Sequence, residues 1–146
     1  MAEDYSALKL ENQLCFPLYA ASKEVVRRYR PFLEKLDLTY TQYITMMVMW
    51  EEKEISVKEL GEKLFLDSGT LTPLLKSLEQ KGYVSRHRSE KDERVLIVSV
   101  TDKGSELKKE AVDVPFQMGS CIKLTREEAL TLYKLLYKLL GDFGEN

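Results

Sequence analysis

The stretch "LDSGTLTPLLKSLEQKGYVSRHRSEKDERVLIVSVT", residues 66–101, decides the fold. Its first half places Leu71, Leu74, Leu75 and Leu78 at helical spacing, so one face is built for burial, and Gly82 supplies the stop. With Thr70 as N-cap, Pro73 falls at the third helical position, where a backbone N–H has no intrahelical acceptor. The second half holds two extended runs, "YVSRHR" and "VLIVSVT", joined by the charged turn "SEKDER", the pattern of a β-hairpin. Upstream, Ser56 with Glu59 forms a capping box opening "VKELGEKLF", and only "FLDS" separates that helix from the next. Helix, short turn, helix and two-stranded wing together specify a winged helix-turn-helix.

Further out the pattern is helical on both sides. Leu10, Leu14, Leu18, Ala21, Val25, Tyr29 and Phe32 recur at steps of three and four, the seam of one long amphipathic helix that Pro31 and "LDLT" end or bend. Thr39 with Gln42 caps the buried helix "YTQYITMMVMWEE". After the hairpin, "DKGSELKKEAVDV" follows Thr101, and "REEALTLYKLLYKLLGDF" follows Thr125, which pairs with Glu128 in a further box. The expected fold class is mainly α with a small β-wing. The chain reads as a single domain over 1–146, with helices at about 8–38 and 102–146 flanking a winged part at about 39–101.

Composition narrows the function classes. A chain of 146 residues with 44% hydrophobic content is long enough for one buried core. It shows no membrane-length apolar run, and "MAEDYSALKL" lacks the layout of a signal peptide, so a cytoplasmic protein without a membrane partner is expected. Cys15 and Cys121 stand far apart, and His87 is the sole histidine, which leaves no metal-ligand set and no expected cofactor. Net charge is −2, yet residues 63–94 carry seven bases against five acids, so a local +2 sits in a chain whose remainder is −4. That asymmetry fits a localised nucleic-acid face as well as a solvated charged surface.

Two sets of residues carry candidate chemistry. Ser68, Thr70, Thr72 and Lys76 gather near the start of the second helix of the motif, the end that enters a major groove when such a motif binds double-stranded DNA. Capping is the plainer role of the hydroxyls. Arg86, Arg88, Lys91 and Arg94 flank the hairpin turn, where arginine can reach a minor groove or phosphates. His87 reads as a surface or packing residue. Cys15, beside Leu14 and Phe16, reads first as a small core hydrophobe. Against that, Tyr19 lies one helical turn away on the same face. Pro17 means that the helix either starts near it or has a broken ladder there. In the first case Cys15 stands at the positive end of a helix dipole, which favours the thiolate, the reactive species.

These residues resemble a known family. "LDSGTLTPLLKSLEQKGYVSRHRSEKDERVLIVSVTDKG", with Asp92, Arg94, Thr101 and Gly104, is similar to the multiple-antibiotic-resistance (MarR) regulators. "LENQLCFPLYAASKE", "LTYTQYITMMVMWE" and "LDSGTLTPLLK" resemble its organic-hydroperoxide-sensing (OhrR) branch, over nearly the whole chain. The resemblance implies a homodimeric repressor, not an enzyme, on a palindromic operator, with the flanking helices as dimerisation elements. It implies that Cys15 is oxidised by an organic hydroperoxide acting as inducer, supported by tyrosines matching Tyr29 and Tyr40. Tyr29 is fourteen residues beyond Cys15, roughly 21 Å along a straight helix. If it serves this cysteine, it comes from the second subunit.

Cys121 stands near the place of a resolving cysteine, displaced by one residue in "VPFQMGSCIKL". In members without a resolving cysteine a low-molecular-weight thiol forms the mixed disulfide, and both routes stay open. Ser77 departs from relatives that carry a basic residue after Lys76. The alternatives are a MarR-type regulator answering to a small ligand, hydrogen peroxide or hypochlorite, and a thiol peroxidase, which would have no use for the wing.

Overall fold

The structure is a computed structural model that describes residues 2–144, with side-chain surroundings through residue 141. Its helices are α1 (Cys15–Glu34), α2 (Tyr40–Glu52), α3 (Val57–Leu64), α4 (Ser68–Gln80), α5 (Asp102–Ala111), α6 (Val114–Gly119) and α7 (Arg126–Gly144). Its strands are β1 (Glu54–Ser56), β2 (Val84–Arg88) and β3 (Leu96–Val100). The winged helix-turn-helix is present: α3 and α4 form the motif, and the β2–β3 hairpin forms the wing.

The local signals for α2 and α7 hold because each is a contact between residues three apart. The Thr39 hydroxyl accepts from the Gln42 N–H at 3.3 Å, and Gln42 Oε1 accepts from the Thr39 N–H at 3.1 Å. Thr125 and Glu128 exchange the same pair of bonds at 3.1 and 2.9 Å. Gly82, at φ +84°, ends α4, with the Tyr83 N–H donating to the Leu78 carbonyl at 3.0 Å.

Several readings are resolved or corrected. Residues 6–12 form two short 3-10 turns, so Leu10 and Leu14 lie ahead of α1 instead of on it. Of the two alternatives at Pro17 the helix start holds: α1 begins at Cys15, and Pro17 falls in its first turn, where its missing N–H had no intrahelical acceptor. Pro31 sits inside the final turn, and α1 ends at Glu34, closing in "LDL" through the Leu38 N–H to the Leu33 carbonyl. The N-cap of α4 is Asp67, not Thr70, since the Asp67 carboxylate accepts from the Thr70 N–H at 2.8 Å. Pro73 is therefore interior to α4. The remaining correction is at the sheet and the C-terminal side: Glu54–Ser56 pair with Ser99–Ile97 as a third antiparallel strand, giving the order β1-β3-β2, and α6 is a separate short helix.

The core lies between α2, α3, α4, the sheet and α5, and Met46, Met49, Leu60, Leu71, Leu75, Leu78 and Val98 are essentially inaccessible. Helix α1 contributes only Leu33 to the buried set, so its first half projects beyond its own chain's core. Helix α7 is more extreme: among its described side chains none is buried, although Leu130, Leu132, Tyr133, Leu135, Tyr137 and Leu139 are large and apolar.

The wing is fastened to α5 at Gly104. Its carbonyl accepts from the Trp50 indole at 2.8 Å, and a Cβ there would run into the Tyr83 carbonyl oxygen and approach Val100 Cγ2 to 2.9 Å. Because the obstructing atom is backbone, relief requires moving β2. Gly104→Ala is expected to destabilise the fold by about 2–3 kcal/mol, read as a lower thermal midpoint at fixed protein concentration.

Candidate functional site

Two candidate sites can be placed on the fold, a basic face on the motif and wing and a candidate redox site divided along α1. On the first, Asp67 caps α4 and leaves Ser68, Thr70, Thr72 and Lys76 exposed on its first two turns. The Thr72 hydroxyl donates to the Ser68 carbonyl at 2.8 Å, and the Thr70 N–H holds the Asp67 carboxyl below the usual carboxylate range. At the wing tip Arg94 is paired in a fork with Asp92, at 3.0 and 3.1 Å, while its side chain remains exposed. Arg88 and Lys91 are exposed and make no side-chain bond among the described residues.

Arg86 behaves differently from its neighbours. Its backbone N–H and Nη2 both donate to the Glu79 carboxylate, at 3.0 and 3.3 Å, and its Nε is buried without a partner. The Arg86 guanidinium in turn holds the Glu79 carboxyl low. This side chain braces β2 against α4, a role that its place in the basic run did not reveal.

The second site is split. Cys15 is the first residue of α1 and is exposed, and the N-cap position, Leu14, supplies no capping side chain, so the first-turn N–H groups beside the sulfur are unsatisfied by any cap. Such an end favours an anion. Tyr19 lies on the same face, with the Lys23 ammonium 5.1 Å above its ring.

At the far end of the helix Tyr29 packs on Tyr40 with ring centroids 4.9 Å apart and on Tyr43 at 5.8 Å. Tyr43 is a member of this cluster that sequence spacing did not single out, although its position three residues after Tyr40 on α2 carries the signal. Burial pushes the hydroxyls of Tyr29, Tyr40 and Tyr43 above the ordinary tyrosine range. The structure thus brings Tyr29 and Tyr40 together and leaves Cys15 apart from them.

Cys121 follows α6, which packs along α1, and its Sγ lies 3.7 Å from the Gln117 carbonyl. Glu24 raises the Arg28 guanidinium further. Among the described residues no cluster could hold a metal ion, and no helix is long and apolar enough to cross a membrane.

The organic hydroperoxide resistance transcriptional regulator of Bacillus subtilis is 47% identical to this chain over 140 residues, covering 96% of this chain and 95% of its own. This protein belongs to the MarR-type winged-helix regulators, in the organic-hydroperoxide branch. A family model described as transcriptional regulator SarA/Rot matches residues 27–111 of the regulator. Among solved structures, AbfR of Staphylococcus epidermidis in its reduced, DNA-bound form is 34% identical, with a TM-score of 0.77 over 93% of this chain and 95% of that one. AbfR with its disulfide formed covers 93% of each chain with a TM-score of 0.66.

Tyrosines held above their ordinary range in the fold stabilise it below about pH 10 and withdraw that stabilisation as pH rises through the folded values. An ultraviolet difference titration is expected to show Tyr29, Tyr40 and Tyr43 ionising only above the ordinary tyrosine range. Tyr29→Phe is expected to remove one of the late-ionising groups.

Proposed function

We propose that this regulator is a homodimeric repressor that binds a palindromic operator when reduced and releases it when an organic hydroperoxide oxidises Cys15. The observation that carries this reading is the division of the candidate redox site: an exposed cysteine opens α1, and a half-buried tyrosine cluster closes it fourteen residues later. An unbroken helix holds those ends roughly 21 Å apart. An antiparallel approach of two α1 helices unites each Cys15 with Tyr29 and Tyr40 of the other subunit. The flanking helices over about 8–38 and 102–146 supply the dimer interface, and 39–101 is the DNA-binding part.

Surface area supports a dimer. The chain exposes 11274 Å2, whereas a compact monomer of 16.9 kDa exposes about 7,700 Å2. The apolar rows of α7 and of the first half of α1 account for much of that excess, and a second copy covers them. Leu14, at 83% exposed, and Phe116, at 77%, belong to the same uncovered surface.

The chemistry at sulfur balances without a cofactor. The Cys15 thiolate attacks one peroxide oxygen, an S–O bond forms as the O–O bond breaks, and the departing alkoxide takes a proton to become an alcohol. Sulfur loses two electrons and the peroxide gains them, leaving a sulfenic acid. A second thiol then condenses with it, forming S–S and releasing water. We propose the partner's Cys121 as that thiol, because Cys121 lies just past α6, which packs along α1. Either product removes the anion that the tyrosine hydroxyls solvate, and the subunits repack.

On DNA, Ser68, Thr70, Thr72 and Lys76 enter the major groove, and Arg88, Lys91 and Arg94 follow the flanking backbone or minor groove. Arg86 acts through Glu79 as a brace, so Arg86→Ala is expected to lower thermal stability. Lys91→Ala is expected to reduce the salt slope of operator binding by about one.

The deciding experiment titrates a labelled inverted-repeat duplex, selected by the reduced protein from a random pool, and then adds tert-butyl hydroperoxide. Wild type is expected to bind and release, and Cys15→Ser to bind and stay bound; release by Cys15→Ser overturns the reading. In a mixed dimer of Cys15→Ser with Tyr29→Phe one complete site survives if each site spans both subunits, and none survives if it lies within one, so peroxide response of that dimer reads the arrangement directly. Non-reducing electrophoresis is expected to show a covalent dimer that Cys121→Ser abolishes; a mixed disulfide with added small thiol in its place assigns resolution to that thiol.

A further inference from the structure

We infer that Gln42 is the positioning residue through which the tyrosine cluster acts on the recognition helix α4, an inference that rests on the redox-release reading above. The first turn of α2 faces two ways. Tyr40 and Tyr43 turn toward Tyr29 on α1, and Gln42, between them in sequence, turns toward α4.

Gln42 is buried, at 6% exposed, and both polar atoms of its carboxamide are hydrogen-bonded. Oε1 accepts from the Thr39 N–H at 3.1 Å and from Lys81 Nζ at 3.0 Å, and Nε2 donates to the Ser77 hydroxyl at 3.0 Å. Ser77 lies in α4, and Lys81 is its C-cap. Lys81 Nζ also donates to the Asp37 carbonyl and faces the Asp37 carboxylate at 3.7 Å, which ties the end of α4 to the corner between α1 and α2.

This arrangement differs from the apolar packing around it in one physical respect. Apolar contacts between helices slide with little penalty, whereas buried donors and acceptors left unpaired are penalised strongly, so α4 follows the carboxamide when the first turn of α2 shifts. The cap fixes the carboxamide plane, because the oxygen that holds Lys81 also closes the capping box. Any displacement of Tyr40 relative to Tyr29 therefore moves the same helical turn that grips Ser77 and Lys81. Ser77 is in this reading the receiving end of the link.

The test compares wild type with Ser77→Ala and Lys81→Met, each lying at the α4 end of the link and outside the residues assigned to DNA contact or redox chemistry. Operator affinity is measured for the reduced protein and for protein treated with tert-butyl hydroperoxide, with the fraction of oxidised Cys15 read by mass spectrometry. Both variants are expected to bind DNA when reduced and to oxidise Cys15 as wild type does, yet to lose at least about fivefold of the reduced-to-oxidised affinity ratio, the low end of ordinary coupling between sites. Ser77→Thr, which keeps a hydroxyl, is expected to retain the wild-type ratio. An unchanged ratio in both variants at equal Cys15 oxidation overturns the inference. A lower thermal midpoint and weaker reduced-state binding with the ratio intact also overturn it, since those mark a static brace. A wild-type protein that keeps its DNA after Cys15 is oxidised overturns the release reading itself, and that result is visible before any variant is made.

Discussion

A straight α-helix cannot bring its two ends together. Helix α1 spans twenty residues, about 30 Å, with Cys15 at its first position and Tyr29 in its fourth turn. Every larger feature of the regulator follows from that rod. Its first half has no core of its own chain to lie on, α6 packs against the helix, and the tyrosine cluster forms where its second half meets α2. On the proposed reading a sensor with its reactive group at one end and its hydrogen-bond donors at the other is incomplete in one subunit, and dimer formation is then part of the proposed chemistry as well as of DNA binding.

Helix α2 converts that arrangement into a connection with the DNA-binding part. Its first turn is tied to α1 by stacked rings and to α4 by a buried carboxamide, while its remaining length packs in the apolar core. At the far side the wing is secured by Arg86 on Glu79 and by the close fit of Gly104 against Tyr83. Helix α4 thus has polar anchors along its length, Asp67 at its start, Glu79 toward the wing, and Ser77 and Lys81 toward α2. Few hydrogen bonds stand between the tyrosines and the helix proposed to enter the groove.

Features set by residues a few positions apart were readable in the chain: the Thr39–Gln42 and Thr125–Glu128 boxes, the Gly82 stop, and the alternation that builds β2 and β3. Where two local solutions compete, sequence was a poorer guide. Asp67 and Thr70 are both good caps, and Asp67 prevails because the helix gains a further turn while Pro73 is tolerated inside it. Strand β1 is only three residues long, and its partner on β3 lies more than forty positions away, so neither propensity nor period announces it. Arg86 looked like its basic neighbours, and only the fold turned it inward onto Glu79.

By itself the sequence determined the winged helix-turn-helix, and that Tyr29 can serve Cys15 only from outside its own chain, because caps, periodicity and helical rise are local and additive along the chain; the family and the redox reading of Cys15 came from resemblance. Tertiary structure alone decided that Tyr43 joins Tyr29 and Tyr40 and that Gln42 spends its capping oxygen on Lys81 as well. Those are contacts between groups distant in sequence, and they exist only once the core has set the helices side by side.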